Sequence, residues 1–131
     1  MVEKKITATS PCMRFVNAPV GEQILKLQEE VVEVGEAFNE YKKAKEDRYK
    51  LGYGSALYGE TDRQIEANKA VREKLENLMV EMLDVQTCIN TMFDQLKKEG
   101  RRDYHYVREE AEAEVIRKNL ARGYYAEEVS K

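Results

Sequence analysis

Two short acidic motifs, separated by almost fifty residues, carry the side chains best suited to chemistry. They are Glu29-Glu30-x-x-Glu33 and Glu81-x-x-Asp84. Residues three apart are neighbours on one side of an α-helix, so each motif presents paired carboxylates if its segment is helical. Two such pairs brought together would repel each other unless a cation lay between them. An all-oxygen ligand set favours Mg²⁺, with Mn²⁺ as the alternative, over Zn²⁺.

Helical periodicity indicates which of these acids face the interior. At about 100° per residue, Glu30 lies at the edge of the main apolar stripe of the first segment, with Glu33 just outside it. Glu81 and Asp84 flank the stripe of the second segment in the same way, whereas Glu29 falls away from the core. The stripes expected to be buried are Ile24, Leu27, Val31, Val34, Phe38 and Tyr41, and then Val71, Leu75, Leu78, Met82, Val85, Ile89, Met92, Phe93 and Leu96.

The elements that must position these acids are predicted to be helices. Periodicity indicates three of them, over about 20–45, 61–98 and 103–122. Thr61 and Asp103 are candidate N-caps, because a short polar side chain before a helix can accept its first free N–H groups. Gly100 and Gly123 are the glycines expected to end the second and third helices.

The remaining segments read as connections. Residues 1–19 are expected to be irregular, with a strand-like stretch over Lys5–Thr9. The Gly/Tyr-rich segment 47–60 is the one clear break in the chain and is expected to be a loop. Apolar heptads are not sustained as a long coiled coil requires. We therefore expect one all-α domain over 1–131, an antiparallel bundle of three to four main helices.

Bulk composition excludes several classes of function. A chain of 131 residues with a net charge of −3 suits one compact domain and argues against binding a nucleic acid polymer. No apolar run approaches the roughly 18 residues of a membrane span, and the first residues do not resemble a signal peptide. Two cysteines and one histidine favour a reduced, cytoplasmic protein without a His-rich metal site.

A second apolar patch on the first helix suggests association between copies. Leu25 and Val32 lie opposite the main stripe, and three helices cannot bury both sides of one of them. We therefore expect oligomerisation to complete the bundle.

Both acidic motifs, in this order on consecutive helices, resemble the MazG-like all-α nucleoside triphosphate pyrophosphohydrolases. The matching segments are Lys26–Glu33 and Glu81–Val85, and Arg117–Tyr125 resembles the basic end of small phage-type and bacterial members. The resemblance covers about residues 20–125. The interval between the two motifs is longer here than in compact family members, and the extra helix that usually precedes the first motif is reduced or missing.

The resemblance implies an activity and a site. Such enzymes cleave a nucleoside triphosphate to a monophosphate and pyrophosphate with Mg²⁺, and they form homodimers or homotetramers. The metal ligands implied here are Glu30, Glu33, Glu81 and Asp84. The residues implied in catalysis are Glu29 and Glu30, the former through water or by orienting the nucleophile.

Cationic side chains would help to neutralise the departing pyrophosphate. Lys118 and Arg122 are four apart and share a face of the third helix, and Lys26 lies beside the first acidic motif. We expect these three to bind the substrate. Two alternatives remain open: a pyrophosphohydrolase of a non-canonical nucleotide, and a non-catalytic helical interaction protein in which Glu81 has no special use.

Overall fold

Three long helices account for almost all of the described structure. The computed structural model describes residues 6–11, 19–52 and 61–125. Its helices are α1 (Val20–Leu51), α2 (Asp62–Gly100) and α3 (Tyr104–Ala121), with a short 3₁₀ turn at Arg101–Asp103. The protein is therefore all-α over this part of the chain, as the sequence predicts. None of the described helices is both long and apolar enough to cross a membrane.

Contacts divide the chain into two compact units, Met1–Met92 and Phe93–Lys131. The first contains α1 and most of α2, and with them both acidic motifs. The second contains the end of α2, the 3₁₀ turn and α3. The candidate site lies within the first unit.

Helices α1 and α2 pack as an antiparallel pair. Lys74 Nζ lies 3.4 Å from a carboxylate oxygen of Glu40, and Glu33 contacts Glu81. Moving seven residues back along α1, from Glu40 to Glu33, thus corresponds to moving seven forward along α2. These two contacts fix the register between the helices.

The interface between α1 and α2 follows a heptad spacing. This spacing is not apparent when only the apolar residues are considered. Its least exposed positions alternate at intervals of three and four residues. In α1 they are Gln23, Leu27, Glu30, Val34, Ala37, Tyr41, Ala44 and Arg48, and in α2 Gln64, Ala67, Val71, Lys74, Leu78, Glu81, Val85, Cys88 and Met92. This spacing is that of a coiled-coil seam, and six of the seventeen residues are charged or amide side chains. The apolar heptads are thus interrupted, as the sequence indicates, while the buried positions themselves keep a heptad spacing.

The seam also corrects the predicted apolar stripes. Leu27, Val34 and Tyr41 do lie in it, but Ile24, Val31 and Phe38 are 41–53% exposed. On α2 the side chains of Leu75, Met82, Ile89, Phe93 and Leu96 are 38–52% exposed. The wheel centred each stripe on its apolar residues, whereas the helices meet along a line that includes Glu30 and Glu81. Both acids lie in the seam itself and not at its edge.

A reciprocal cap begins α2, as the sequence predicts for Thr61. The Gln64 backbone N–H donates to Thr61 Oγ1 at 3.2 Å, and the Thr61 N–H donates to Gln64 Oε1 at 2.8 Å. The buried Gln64 amide also donates to the carbonyls of Leu51 and Gly52. Gln64 therefore ties the end of α1 to the start of α2.

Helix α1 is longer than the sequence predicted. It continues to Leu51, so residues 47–51 of the expected loop are helical, and it ends at Gly52 with a φ of 73°. That left-handed conformation favours glycine, and it explains why the helix stops there. Residues 53–60 of the predicted Gly/Tyr-rich loop lie outside the described residues.

The described part of the N-terminal segment is a turn and not the predicted strand. The Ser10 N–H donates to the Thr7 carbonyl, and the Thr7 N–H donates to Ser10 Oγ. Thr87 and Asn90 of α2 then donate side-chain hydrogen bonds to the carbonyls of Ala8 and Thr9. Irregular structure over 6–11 is thus confirmed, whereas 1–5 and 12–18 lie outside the described residues.

In the second unit, the predicted helix end at Gly123 is confirmed. The predicted helix end at Gly100 and the predicted N-cap at Asp103 are not. Gly100 has a φ of −78° and leads into the 3₁₀ turn, so it does not end α2 by a left-handed turn. Asp103 precedes α3 but makes no side-chain cap. Gly123 does follow α3 with a φ of 70°. The Gly123 and Tyr124 N–H groups donate to the carbonyls of Leu120 and Asn119, which is a Schellman motif.

Candidate metal centre

Three carboxylates from the two motifs converge where α1 and α2 meet. One oxygen each of Glu30, Glu33 and Glu81 lies within 4.8 Å of the other two. Glu30 is buried at 6% exposure, Glu81 is half-buried and Glu33 is exposed. The antiparallel register produces this convergence, because it sets the end of the first motif beside the start of the second.

Two oxygens of this cluster have no polar contact in the described structure. Glu30 Oε2 and Glu81 Oε2 are both buried without a hydrogen-bond partner. A buried polar oxygen left unpaired costs on the order of 1–3 kcal/mol, so such atoms are rare in native proteins. The structure therefore leaves two acceptors at the same place with their bonding capacity unused.

Lys26 neutralises part of the charge. Its Nζ lies 2.8 Å from Glu30 Oε1, one helical turn away. The hydrogen bond and the charge of Glu30 raise the pKa of Lys26, so the lysine stays protonated. One cation against three carboxylates still leaves an excess of negative charge.

The excess charge is visible at Glu33. The negative charge of Glu30, followed by a hydrogen bond with Glu81, raises the pKa of the Glu33 carboxyl above its usual value. A carboxyl that shares a proton with another in this way is characteristic of acids held close together. Glu33 is thus harder to ionise here than a carboxyl without acidic neighbours.

The donor set fits a hard divalent cation. It consists of carboxylate oxygens only, and two of them are buried with free acceptor capacity. Mg²⁺ and Mn²⁺ prefer such oxygens, whereas zinc sites recruit histidine or cysteine. Glu30, Glu33 and Glu81 would hold the ion, and its two positive charges would offset the repulsion that raises the pKa of Glu33.

The fourth predicted ligand, Asp84, lies beside this cluster without belonging to it. Asp84 is exposed and one turn along α2 from Glu81. The register that pairs Glu33 with Glu81 sets Asp84 level with Glu30. Glu29 is also exposed, on the side of α1 away from the seam, as the wheel predicts.

The three predicted substrate-binding cations lie in different parts of the structure. Lys26 belongs to the carboxylate cluster through Glu30. Lys118 and Arg122 lie at the end of α3 in the second unit, both exposed. The Arg122 guanidinium stacks over the Tyr124 ring at 5.9 Å from the centroid. The role of Lys118 and Arg122 at the site stays a prediction.

Sequence reasoning missed one polar residue in the same part of the seam. Gln23 is 5% exposed and lies seven residues, two helical turns, before Glu30. Thr91 of α2, also buried, donates from its hydroxyl to the Thr87 carbonyl. The heptad interval from Gln23 to Glu30 is the signal that identifies this position, but it becomes visible only when polar residues are counted as seam residues.

Comparison with known proteins gives no relative of this chain. No family model, no curated protein and no solved structure matches it.

Proposed function

We propose that this protein is a Mg²⁺-dependent nucleoside triphosphate pyrophosphohydrolase, which converts a (d)NTP into a (d)NMP and pyrophosphate. The observation that carries the proposal is the pair of buried, unpartnered carboxylate oxygens on Glu30 and Glu81, with Glu33 beside them. Nothing within the described protein satisfies these oxygens, and a divalent cation does so. The resemblance of the two motifs to MazG-like enzymes supplies the reaction.

The residues of the first unit divide into two roles. Glu30, Glu33 and Glu81 hold the cation, and Asp84 completes the set from the adjacent turn of α2. A Mg²⁺ ion held by these residues would supply neutralisation of phosphate charge and polarisation of the anhydride. Glu29, exposed on the side of α1 away from the seam, would act through water or by orienting the nucleophile.

Cationic side chains stabilise the leaving group in this proposal. Lys26 is already at the cluster, where its ammonium contacts Glu30. With a cation held at Glu30, the Lys26 ammonium would be available to phosphate oxygens. Lys118 and Arg122 are the proposed additional phosphate contacts from α3.

The wider architecture that we propose is an antiparallel bundle completed by association into a homodimer or homotetramer. Leu25 and Val32 remain 61% and 60% exposed, as an associating patch would be before it meets its partner. A protein of this kind acts on free nucleotides, without nucleic acid polymers or membranes as partners.

The competing function is a non-catalytic helical interaction protein. The buried acids would then serve only to fix the pairing of α1 with α2, a use of buried charge known from coiled coils. The two functions differ in what the cluster binds, because an interaction protein needs no cation.

Hydrolysis of a panel of NTPs and dNTPs tests the proposal. We expect release of pyrophosphate in the presence of Mg²⁺ and none in EDTA. Glu81→Gln should lose at least 100-fold in kcat with its helical content intact. The exposed acid Glu36 provides the matched control, and Glu36→Gln should retain the wild-type rate. No turnover on any nucleotide, or equal turnover by both variants, would overturn the proposal.

A further inference from the structure

A cavity opens between the later part of α1 and the start of α2, in the same unit as the carboxylate cluster. Its volume is about 310 Å³, at the lower end of the roughly 300–1,000 Å³ of ligand cavities. Ala44 of α1 and Ala67 and Ala70 of α2 form its apolar lining. Because each alanine carries only a methyl group, the two helices leave space here that larger seam residues fill elsewhere.

The remaining lining of the cavity is charged but balanced. It consists of two acids and two lysines, Glu40, Lys43, Asp47 and Lys74. Glu40 and Lys74 lie 3.4 Å apart and their side chains are 61% and 38% exposed, so both can reach a ligand. Since the four charges cancel, the cavity has no net attraction for a free phosphate or a metal ion. It suits a neutral molecule that presents both hydrogen-bond donors and acceptors.

The cavity and the carboxylate cluster lie on the same side of the α1–α2 pair. Glu33 and Glu40 are seven residues apart on α1, and Lys74 and Glu81 are seven apart on α2. Residues at this interval point within about 20° of each other on a helix. Glu33 contacts Glu81 and Glu40 contacts Lys74, so the cavity begins one heptad, about 10 Å, from the cluster.

The layer between the cluster and the cavity leaves room for a ligand that spans both. The register sets Ala37 of α1 level with Asn77 of α2, midway between the two contacts. Ala37 has no side chain beyond its methyl group, and Asn77 is exposed. A molecule held at the cluster can therefore extend along this side of the helix pair into the cavity.

A nucleotide has the shape and the chemistry that this arrangement requires. With its phosphates at the cluster, its sugar and base extend away by about the length of one heptad. A nucleobase is flat and uncharged, and it carries hydrogen-bond donors and acceptors on its edges. The alanine methyl groups suit the face of the ring. The Glu40 carboxylate can accept from N–H groups of the base, and the Lys74 ammonium can donate to a carbonyl oxygen or a ring nitrogen.

We propose that this cavity binds the base of the nucleotide substrate, and that Glu40 and Lys74 recognise its edge. The proposal rests on the proposed hydrolase activity and adds to it the part of the protein that selects the base. Polar groups that pair with one base are left unpaired by another, which is how a site of this kind discriminates between substrates. The selection is separate from the cluster, which contacts only phosphate.

Filling the cavity tests the proposal, with inorganic tripolyphosphate as a probe of the phosphate contacts alone. Ala70 is exposed, so Ala70→Phe adds a ring to the cavity without displacing a buried side chain. Its KM for NTPs and dNTPs should rise about tenfold or more. The inhibition constant of tripolyphosphate in Mg²⁺ should stay at the wild-type value. Ala113→Phe, the same substitution at an exposed alanine of α3, should change neither quantity.

Glu40→Gln tests the recognition of the base edge. The variant keeps the size of the side chain but replaces one acceptor oxygen with an NH₂ donor. The ratio of kcat/KM between the preferred base and the next should change about tenfold, while inhibition by tripolyphosphate should not change. Glu36→Gln, one turn away on α1, should retain the wild-type order of bases.

The possible failures can be told apart. Turnover with an unchanged KM in Ala70→Phe would overturn the base site and leave the proposed function standing. A parallel rise in the inhibition constant of tripolyphosphate would also overturn it, because the substitution would then act on the phosphate contacts. An unchanged order of bases in Glu40→Gln would overturn the recognition by Glu40 and Lys74. A wild type without turnover would remove the proposed function and this inference together. Circular dichroism checks the fold, and Ala70→Leu takes the place of Ala70→Phe if the latter does not fold.

Discussion

The side chain of Glu30 is subject to two opposing requirements, because it is both buried and acidic. Glu30 is buried between two helices, where an ionised carboxylate is costly unless it is paired. Lys26 pairs one of its oxygens and leaves the other without a partner. Lys26 thus stabilises the protein in the absence of metal, and a bound cation would satisfy the second oxygen of Glu30.

The ion pair between Lys26 and Glu30 predicts how Lys26→Met changes stability with and without metal. Without metal, the variant should lose roughly 1 kcal/mol of unfolding free energy. This is less than the roughly 1.5–3 kcal/mol of a hydrogen bond to a charged group, because half of the Lys26 side chain is solvated. The gain in melting temperature on adding Mg²⁺ should be larger than in wild type. Thermal melts in EDTA and in Mg²⁺ measure both effects.

Lys42→Met provides the comparison, since Lys42 is an exposed lysine of the same helix. It should change neither quantity. A Lys26→Met protein as stable as wild type in EDTA would show that Glu30 does not need its cationic partner.

At the scale of elements, the structure depends on a few local signals that join helices. Gln64 is the clearest, because it caps α2 and binds the end of α1 at the same time. Its Oε1 accepts from the Thr61 N–H, while its Nε2 donates to the Leu51 and Gly52 carbonyls. The two functions use different atoms and can be separated by substitution.

Gln64→Ala should destabilise the protein by about 1–2 kcal/mol, the magnitude of a lost cap together with buried hydrogen bonds. Gln64→Glu keeps an acceptor for the Thr61 N–H but loses the donor to α1. Its second carboxylate oxygen would face the Leu51 and Gly52 carbonyls, so the variant should be no more stable than alanine in urea titrations at neutral pH. Equal stability of all three proteins would mean that this contact does not hold the two helices together.

Two glycines offer a matched test of backbone conformation. Gly123 ends α3 with a φ of 70°, whereas Gly21 lies in the first turn of α1, and neither has an atom within 4 Å of an added Cβ. Gly123→Ala should cost about 1–2 kcal/mol from the left-handed strain alone. Gly21→Ala should instead gain up to about 1 kcal/mol from helix propensity.

Thermal melts of the two variants give the sign of each change. The same direction for both would show that backbone conformation at Gly123 does not determine the end of α3.

At the scale of the whole molecule, the sequence predicts the helices better than the way they meet. The all-α class, the Thr61 cap and the Gly123 end follow from local rules that act within a few residues. The line of contact between α1 and α2 does not, because it passes through Gln23, Glu30, Lys74 and Glu81. A hydrophobic wheel assigns such residues to the surface.

The candidate site could be predicted because its motifs are local. The seam could not, because it depends on how the helices pack. Carboxylates three residues apart can be recognised without knowing what covers them, and three of the four predicted ligands do converge. Their burial depends on the register, which only long-range packing determines. The apolar residues Ile24, Val31 and Phe38, expected in the core, are exposed because the line of contact between the helices does not pass through them.

The central claim is that Glu30, Glu33 and Glu81 together bind a divalent cation. Electron paramagnetic resonance with Mn²⁺ tests it directly, because the signal of the free hydrated ion decreases when the ion binds. Wild type and Glu36→Gln should both bind Mn²⁺ and release it to excess Mg²⁺, whereas Glu30→Gln and Glu81→Gln should not bind it. A wild-type protein that leaves the free-ion signal unchanged, or binding that survives both substitutions, would contradict the claim.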